Sequence, residues 1–240
     1  MKRYLPFIII GAVLAIALGA GYAFYKSAKK PVTASESLAG ATPTPDPPPA
    51  GGPRVPVSQA GAPAGDSAHV RGPANARITM EEYGDYQCPS CGVLFHELKK
   101  IEQEYAGQMR FVFRHFPLPT IHKYALLSAH AAEAASRQGR FWEMHELIYT
   151  NQAAWSASSD ARPIFIQYAR NLGLDVDRFT RDLDDPAVAA RVQADYQRGV
   201  AANVQGTPTI FLNGRQLRSE AHTPEGLRMA LDFMLGKRTQ

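Results

Sequence analysis

The chain has 240 residues, with 26 Lys+Arg against 22 Asp+Glu and a formal net charge of +4. Five of those cations (Lys2, Arg3, Lys26, Lys29, Lys30) lie in residues 1–30, which hold no acid, so residues 31–240 carry 21 basic against 22 acidic side chains. The positive balance belongs to the N-terminal tail. Nucleic-acid binding, which needs a basic patch on a folded surface, has no support in the composition.

Residues 5–24 read LPFIIIGAVLAIALGAGYAF, 20 positions without a charge. At ~1.5 Å rise per residue such a helix spans ~30 Å, the thickness of a bilayer's hydrocarbon core. Tyr4, Tyr22 and Tyr25 stand near the ends, where amphipathic rings favour the interface. A cleaved signal peptide is the competing reading. Its apolar core is usually ~7–15 residues and ends at a small-residue site, for which Gly21-Tyr22-Ala23 is a poor match. Residues 1–30 are therefore expected to be an uncleaved membrane anchor. The flanking charges are nearly balanced, so the positive-inside rule does not fix its orientation.

Residues 31–75 hold ten of the 18 prolines, with runs such as TPTPDPPPAGGP at 42–53. Proline fixes φ and lacks a donor, and few large apolar groups are present to bury, so a semi-rigid linker is expected. A folded domain is expected from residue 76 onward. RITMEEY (77–83) predicts a strand with Ile78, Met80 and Glu82 on one face. CPSCGVLFHELKKIEQEYAG (88–107) predicts a helix, with Val93, Leu94, Leu98, Ile101 and Tyr105 at helical spacing. MRFVFRHFPL (109–118) predicts a second strand, completing a β-α-β unit with parallel strands. Residues 122–203 read as helical almost throughout. TPTIFLNG (207–214) and RQLRS (215–219) predict a hairpin turning at Asn213-Gly214. The last helix, 223–236, has Thr223 as N-cap and Pro224 at its first position.

The chemistry centres on GDYQCPSCGVLF (84–95), which holds both cysteines of the chain, Cys88 and Cys91. A C-x-x-C at a helix start places the first thiol beside unpaired N–H groups and the positive end of the dipole. That environment favours the thiolate, the attacking species. Pro89 suits the first helical turn because its missing N–H costs nothing there. Two other readings compete. A structural zinc site wants four ligands, so His115 or another distant group would have to converge, and His96 is by default a helix-face residue. A structural disulfide across two residues closes a tiny loop and stabilises little. Neither His96-Glu97 nor His145-Glu146 has a second histidine at H-E-x-x-H spacing. Phe141, Trp142 and Met144 read as core. Phe116 and Leu118 suit either core or a peptide groove.

The elements DYQCPSC, FRHFPL, the helical block and GTPT, found in this order over about residues 70–236, resemble the DsbA-like thioredoxin-fold oxidoreductases. The resemblance implies an α/β class: a thioredoxin-like fold with a helical insertion at about 122–203, here preceded by a transmembrane helix and a Pro-rich linker. It implies a redox pair at Cys88 and Cys91 with Pro89 and Ser90 between them, and no cofactor or metal. It implies a cis-proline loop at Thr207-Pro208 that lies beside the cysteines and pairs with substrate backbone. It also implies that Glu82, six residues before Cys88, is a buried acid exchanging a proton with the buried cysteine. Strand alternation independently puts Glu82 on the apolar face, and a solvent-facing glutamate is the alternative.

One departure concerns direction. Strong oxidants of this family often carry His between the cysteines, and here the pair is Pro89-Ser90, without a cation. The expected function is a thiol–disulfide oxidoreductase, a dithiol oxidase acting on cysteine-containing exported polypeptides. A membrane redox partner or a small-molecule disulfide would recycle it. A reductase or isomerase of the same fold, or a tethered assembly factor without turnover, are the alternatives. The expected location is a bacterial cell membrane, spanned once by residues 5–24, with the domain facing the periplasm or cell exterior.

Overall fold

A computed structural model describes residues 69–237. The expected membrane span at 5–24 and most of the expected linker lie outside the described residues. Among the described residues no helix is long and apolar enough to cross a membrane.

Five strands form one sheet in the order β1-β3-β2-β4-β5. These are β1 (His69–Arg71), β2 (Ile78–Gly84), β3 (Met109–His115), β4 (Thr209–Leu212) and β5 (Arg215–Gln216). β2 and β3 run parallel, joined across helix α1 (Pro89–Glu104) as the pattern predicts, and the other pairings are antiparallel. The hairpin turn uses Asn213 (φ 47°) and Gly214 (φ 76°), both left-handed. That is the requirement of a two-residue turn matching strand twist.

Between β3 and β4 lie six helices: α2 (Ala125–Ser136), α3 (Phe141–Thr150), α4 (Gln152–Ser156), α5 (Arg162–Asn171), α6 (Val176–Asp182) and α7 (Pro186–Ala201). They are the expected insertion. The terminal helix α8 (Pro224–Leu235) starts as read: Pro224 opens it and the Thr223 hydroxyl accepts the Gly226 N–H at 3.1 Å.

Two expectations are corrected. The domain begins before residue 76, because His69–Arg71 pair with Phe111–Phe113 as an edge strand inside the expected linker. Three residues are too few to show alternation, and only pairing with β3 makes them a strand. Val93 is 72% exposed rather than part of the helix's buried face, which runs through Cys91, Leu94, Phe95, Leu98 and Ile101.

The ladder register sorts side chains onto two faces. Glu82 shares a row with His69, Phe113 and Ile210, and Met80 shares the adjacent row with Arg71, Phe111 and Leu212. This face meets α1 and α8 in the main core with Leu98, Ile101, Leu227 and Leu231. The other face carries Glu81 and Tyr83 and packs a smaller cluster of Tyr83, Phe116, Val204 and Phe211. Phe141 and Met144 are core as expected, and Phe116 belongs to that second cluster.

Candidate active site

The turn from β2 into α1 is held by one carboxylate. Asp85 is buried and accepts hydrogen bonds from the Gln87 N–H (2.8 Å), the Leu118 N–H (2.9 Å) and His122 Nδ1 (2.7 Å). Its backbone carbonyl accepts the Cys88 N–H at 3.1 Å. A second clamp comes from the insertion. Gln152 Nε2 donates to the carbonyls of Tyr86 (2.7 Å) and Cys88 (2.8 Å), which fixes the backbone on both sides of Gln87. A side chain at Gly92 would collide with the Gln152 amide, so the first turn of α1 leaves room for this contact only with glycine there.

Cys88 is the N-cap of α1 and Pro89 occupies its first position. Both cysteines are buried free thiols. The Cys88 pKa is pulled down to about 5, first by a hydrogen bond from the Cys91 thiol. Burial opposes ionisation, and Thr207 and the N–H groups of Cys91 and Ser90 favour it. The helix start thus supplies donors to the sulfur in place of a cation in the C-x-x-C dipeptide. Cys91 is the opposite case: burial pushes its thiol well above the ordinary value, and the nearby Cys88 and Glu82 push the same way.

The Thr207-Pro208 bond is cis, and this loop reaches Cys88. The Thr207 carbonyl oxygen lies 3.3 Å from Cys88 Sγ and accepts the S–H of the neutral thiol. The buried Thr207 hydroxyl has no other hydrogen-bond partner and favours the thiolate. A groove of about 580 Å³ runs from here, lined by Ser90, Val93, Leu94, Pro208 and His222 among others. The exposed Val93 that broke the helix pattern is one of its walls.

Glu82 is 2% exposed and points into the main core, so the solvent-facing alternative is excluded. Among the described residues its Oε1 has no hydrogen-bond partner. Burial first, then the like charges of Glu102 and the Cys88 thiolate, raise its pKa to about 8, while Arg71 opposes the rise. Near neutral pH the carboxyl is therefore mostly protonated, able to give a proton to a cysteine thiolate or take one back.

A family model described as Thioredoxin matches residues 65–233. The chain belongs to the thioredoxin family. The fold of this family member is that of DsbA-type proteins. It is similar to BdbD from Bacillus subtilis, solved oxidised, with 25% identity and a TM-score of 0.62 over 70% of this chain and 92% of that one. It shares its fold with alpha-DsbA1 from Wolbachia pipientis (19% identity, TM-score 0.63, 75% of this chain and 96% of that one). It also shares it with the oxidoreductase DsbA from Xylella fastidiosa (23%, 0.56, 69% and 89%).

Curated sequence relatives include the Na(+)/H(+) antiporter NhaA 3 of Salinispora tropica, 42% identical over 152 residues, which are 63% of this chain and 22% of that protein. The NhaA antiporter of Herminiimonas arsenicoxydans is 39% identical over 150 residues, 62% and 23% of the two chains. The match spans less than a quarter of the length of these relatives, and the antiport named for them is theirs.

In this thioredoxin-family member the structure brings Cys88, Cys91, Glu82, Thr207 and Pro208 together around one helix start. Asp85 and Gln152 were not found in the sequence. Asp85 had a signal, an Asp two residues before a backbone donor in a turn, whereas Gln152 sits on a helix 64 residues from the carbonyl it holds. His115 does not join the cysteines. Its Nε2 lies 3.0 Å from Glu133 Oε1, and His69 Nε2 lies 2.7 Å from the same oxygen. These three offer metal-ligating atoms within 4.8 Å of one another. Two hydrogen bonds and Arg191, 3.8 Å away, already balance that carboxylate. Burial resists its ionisation, but the bonds from His115 and His69 outweigh burial and hold it below the ordinary range.

Proposed function

We propose that this chain is a thiol–disulfide oxidoreductase working as a dithiol oxidase. The observation that carries the reading is the asymmetry of the pair: a Cys88 thiolate favoured down to about pH 5, beside a buried Cys91 that holds its proton. A stabilised thiolate stabilises the reduced enzyme, which makes the disulfide form the stronger oxidant.

With the pair oxidised, a substrate thiolate attacks Cys88 Sγ. The Cys88–Cys91 bond breaks, Cys91 leaves as a thiolate and takes a proton from the neutral Glu82. A second substrate thiolate then attacks the substrate sulfur of the mixed disulfide, and Cys88 leaves as a thiolate. The substrate gains one disulfide, and the enzyme holds the two electrons as the Cys88 thiolate and the Cys91 thiol. A membrane redox partner or a small-molecule disulfide accepts those electrons and restores the pair. Thr207 and Pro208 face the incoming chain at the rim of the groove.

Exported polypeptides with unpaired cysteines are the proposed substrates, since disulfides persist in oxidising compartments. The apolar run at 5–24 and the proline-rich stretch after it support a single-pass anchor in a bacterial membrane, with the domain in the periplasm or at the cell exterior.

The test is oxidation of a reduced, unfolded protein with several cysteines. Wild type should restore its native disulfides, Cys88→Ser should lose all turnover, and Cys91→Ser should accumulate mixed disulfides visible on a non-reducing gel. Turnover retained by Cys88→Ser would sink the assignment. A reduction potential close to that of thioredoxin would favour the reductase direction instead.

A further inference from the structure

Glu82 is the buried acid of the site, but the groups that set its proton affinity lie outside the C-x-x-C motif. The register places Arg71 on the same sheet face, in the adjacent row and two strands over. With strands ~4.8 Å apart, the Arg71 and Glu82 side chains start on the order of 10 Å from each other and both lean under α1. Arg71 is clamped there. Its Nη2 donates to Glu102 of α1 at 2.7 Å and its Nη1 to Glu146 of α3 at 3.0 Å. Glu146 is held in turn by Lys99 at 2.8 Å. The Arg71 guanidinium stacks over the Trp142 ring, 4.1 Å from its centroid. Among the described residues three polar atoms of this layer are buried without hydrogen-bond partners, Arg71 Nε, Glu82 Oε1 and the Tyr149 hydroxyl.

We propose that the Arg71–Glu102 ion pair is a two-sided positioning device for Glu82, in which the cation favours its carboxylate and the anion favours its acid. This deepens, and rests on, the oxidoreductase reading above. The physical basis is that both charges face one carboxyl across a low-dielectric layer, where screening by water is weak. The other groups facing Glu82 are Cys88 and Cys91 from α1, Tyr86 from the turn and Tyr149 from α3. Its ladder partners on β3 and β4, Phe113 and Ile210, are apolar. Lys99, held on Glu146, is a second cation of the layer, and Arg71 is the one whose charge bears on Glu82; it comes from the edge strand.

The device makes opposite predictions for its two halves, which no merely structural role does. The readout is the 13C NMR titration of the Glu82 carboxyl carbon in the reduced protein, assigned with Glu82→Gln. Arg71→Gln should move the midpoint up and Glu102→Gln should move it down. Each shift should be roughly one pH unit, as expected for charges on the order of 10 Å apart at an effective dielectric near 20. Arg71→Lys, which keeps the charge, should stay near wild type.

In single-turnover reactions the pH profile of Cys91 attack on a mixed disulfide should shift with the same signs. Midpoints that move in the same direction in Arg71→Gln and Glu102→Gln, or that stay fixed in both, overturn the proposal. Should Arg71→Gln not fold, an unmoved midpoint in Glu102→Gln overturns it alone. The titration needs no turnover. A failure of the oxidase reading would therefore appear as absent mixed disulfides with the midpoints still moving.

Discussion

Glu81 and Glu82 are consecutive residues of one strand, both buried, and they meet opposite fates. On its face of the sheet Glu81 accepts from Arg114 Nε at 2.9 Å. Arg114 also donates to Asp195 of α7 at 3.0 Å, and Asp195 accepts the His115 N–H at 3.2 Å and an Arg191 Nη2 hydrogen at 2.9 Å. Glu81, Arg114, Asp195 and Arg191 each have a partner of opposite sign within hydrogen-bond reach. On the other face Glu82 has none among the described residues, and its carboxyl is left to answer burial by holding a proton. The comparison teaches how a fold separates structure from chemistry. A paired buried carboxylate has its charge offset by its partner, whereas an unpaired one answers burial by holding a proton that it can then move.

The largest expected effect tests the unpaired side. A raised carboxyl pKa means that the folded protein keeps a proton the unfolded chain gives up. Its stabilising contribution is full below the ordinary value of 4.5 and is lost as pH rises through about 8. The loss amounts to at most about 5 kcal/mol. In denaturant titrations, Glu82→Gln should lack this decline between pH 5 and 9. It should also slow the Cys91 step by on the order of 10²-fold, the low end for a positioned proton donor. A decline that persists in the variant would place the titrating group elsewhere.

Next comes the paired side. Arg114→Met strands Glu81 without its cation, leaves Asp195 to Arg191 alone, and should cost about 3–5 kcal/mol of unfolding free energy. It should leave the Glu82 titration midpoint where it is. A midpoint that moved as far as in Arg71→Gln would mean that the two faces are not electrically separate.

The smallest effect calibrates both. Thr223→Ala removes the cap of α8, a helix that packs on the Glu82 face through Leu227 and Leu231 without adding charge there. It should cost about 1 kcal/mol at every pH. A pH-dependent cost in this variant would show that any loosening of that face mimics the Glu82 signal.

Much of this was legible in the sequence. The C-x-x-C at a strand-to-helix junction, the apolar face of α1, the Asn213-Gly214 turn and the Thr223-Pro224 helix start are local features. They depend on periodicity, φ preference and hydrogen bonds within a few residues, so a short window of residues carries them. Strand alternation likewise put Glu82 on the apolar face, and the order of motifs carried the DsbA-type fold.

Other features were decided by tertiary structure alone. The edge strand at His69–Arg71 exists because β3 offers an unpaired side to it. Whether Glu81 or Glu82 found a cation depended on packing: Arg114 reaches Glu81 from β3 and is braced by Asp195, which lies 114 residues beyond Glu81 in the chain. Gln152 reaches the Cys88 carbonyl, and Arg71 comes near Glu82, for the same reason. Charge pairing and desolvation are set by distance in space, and distance in space between remote residues is fixed only when the chain has packed.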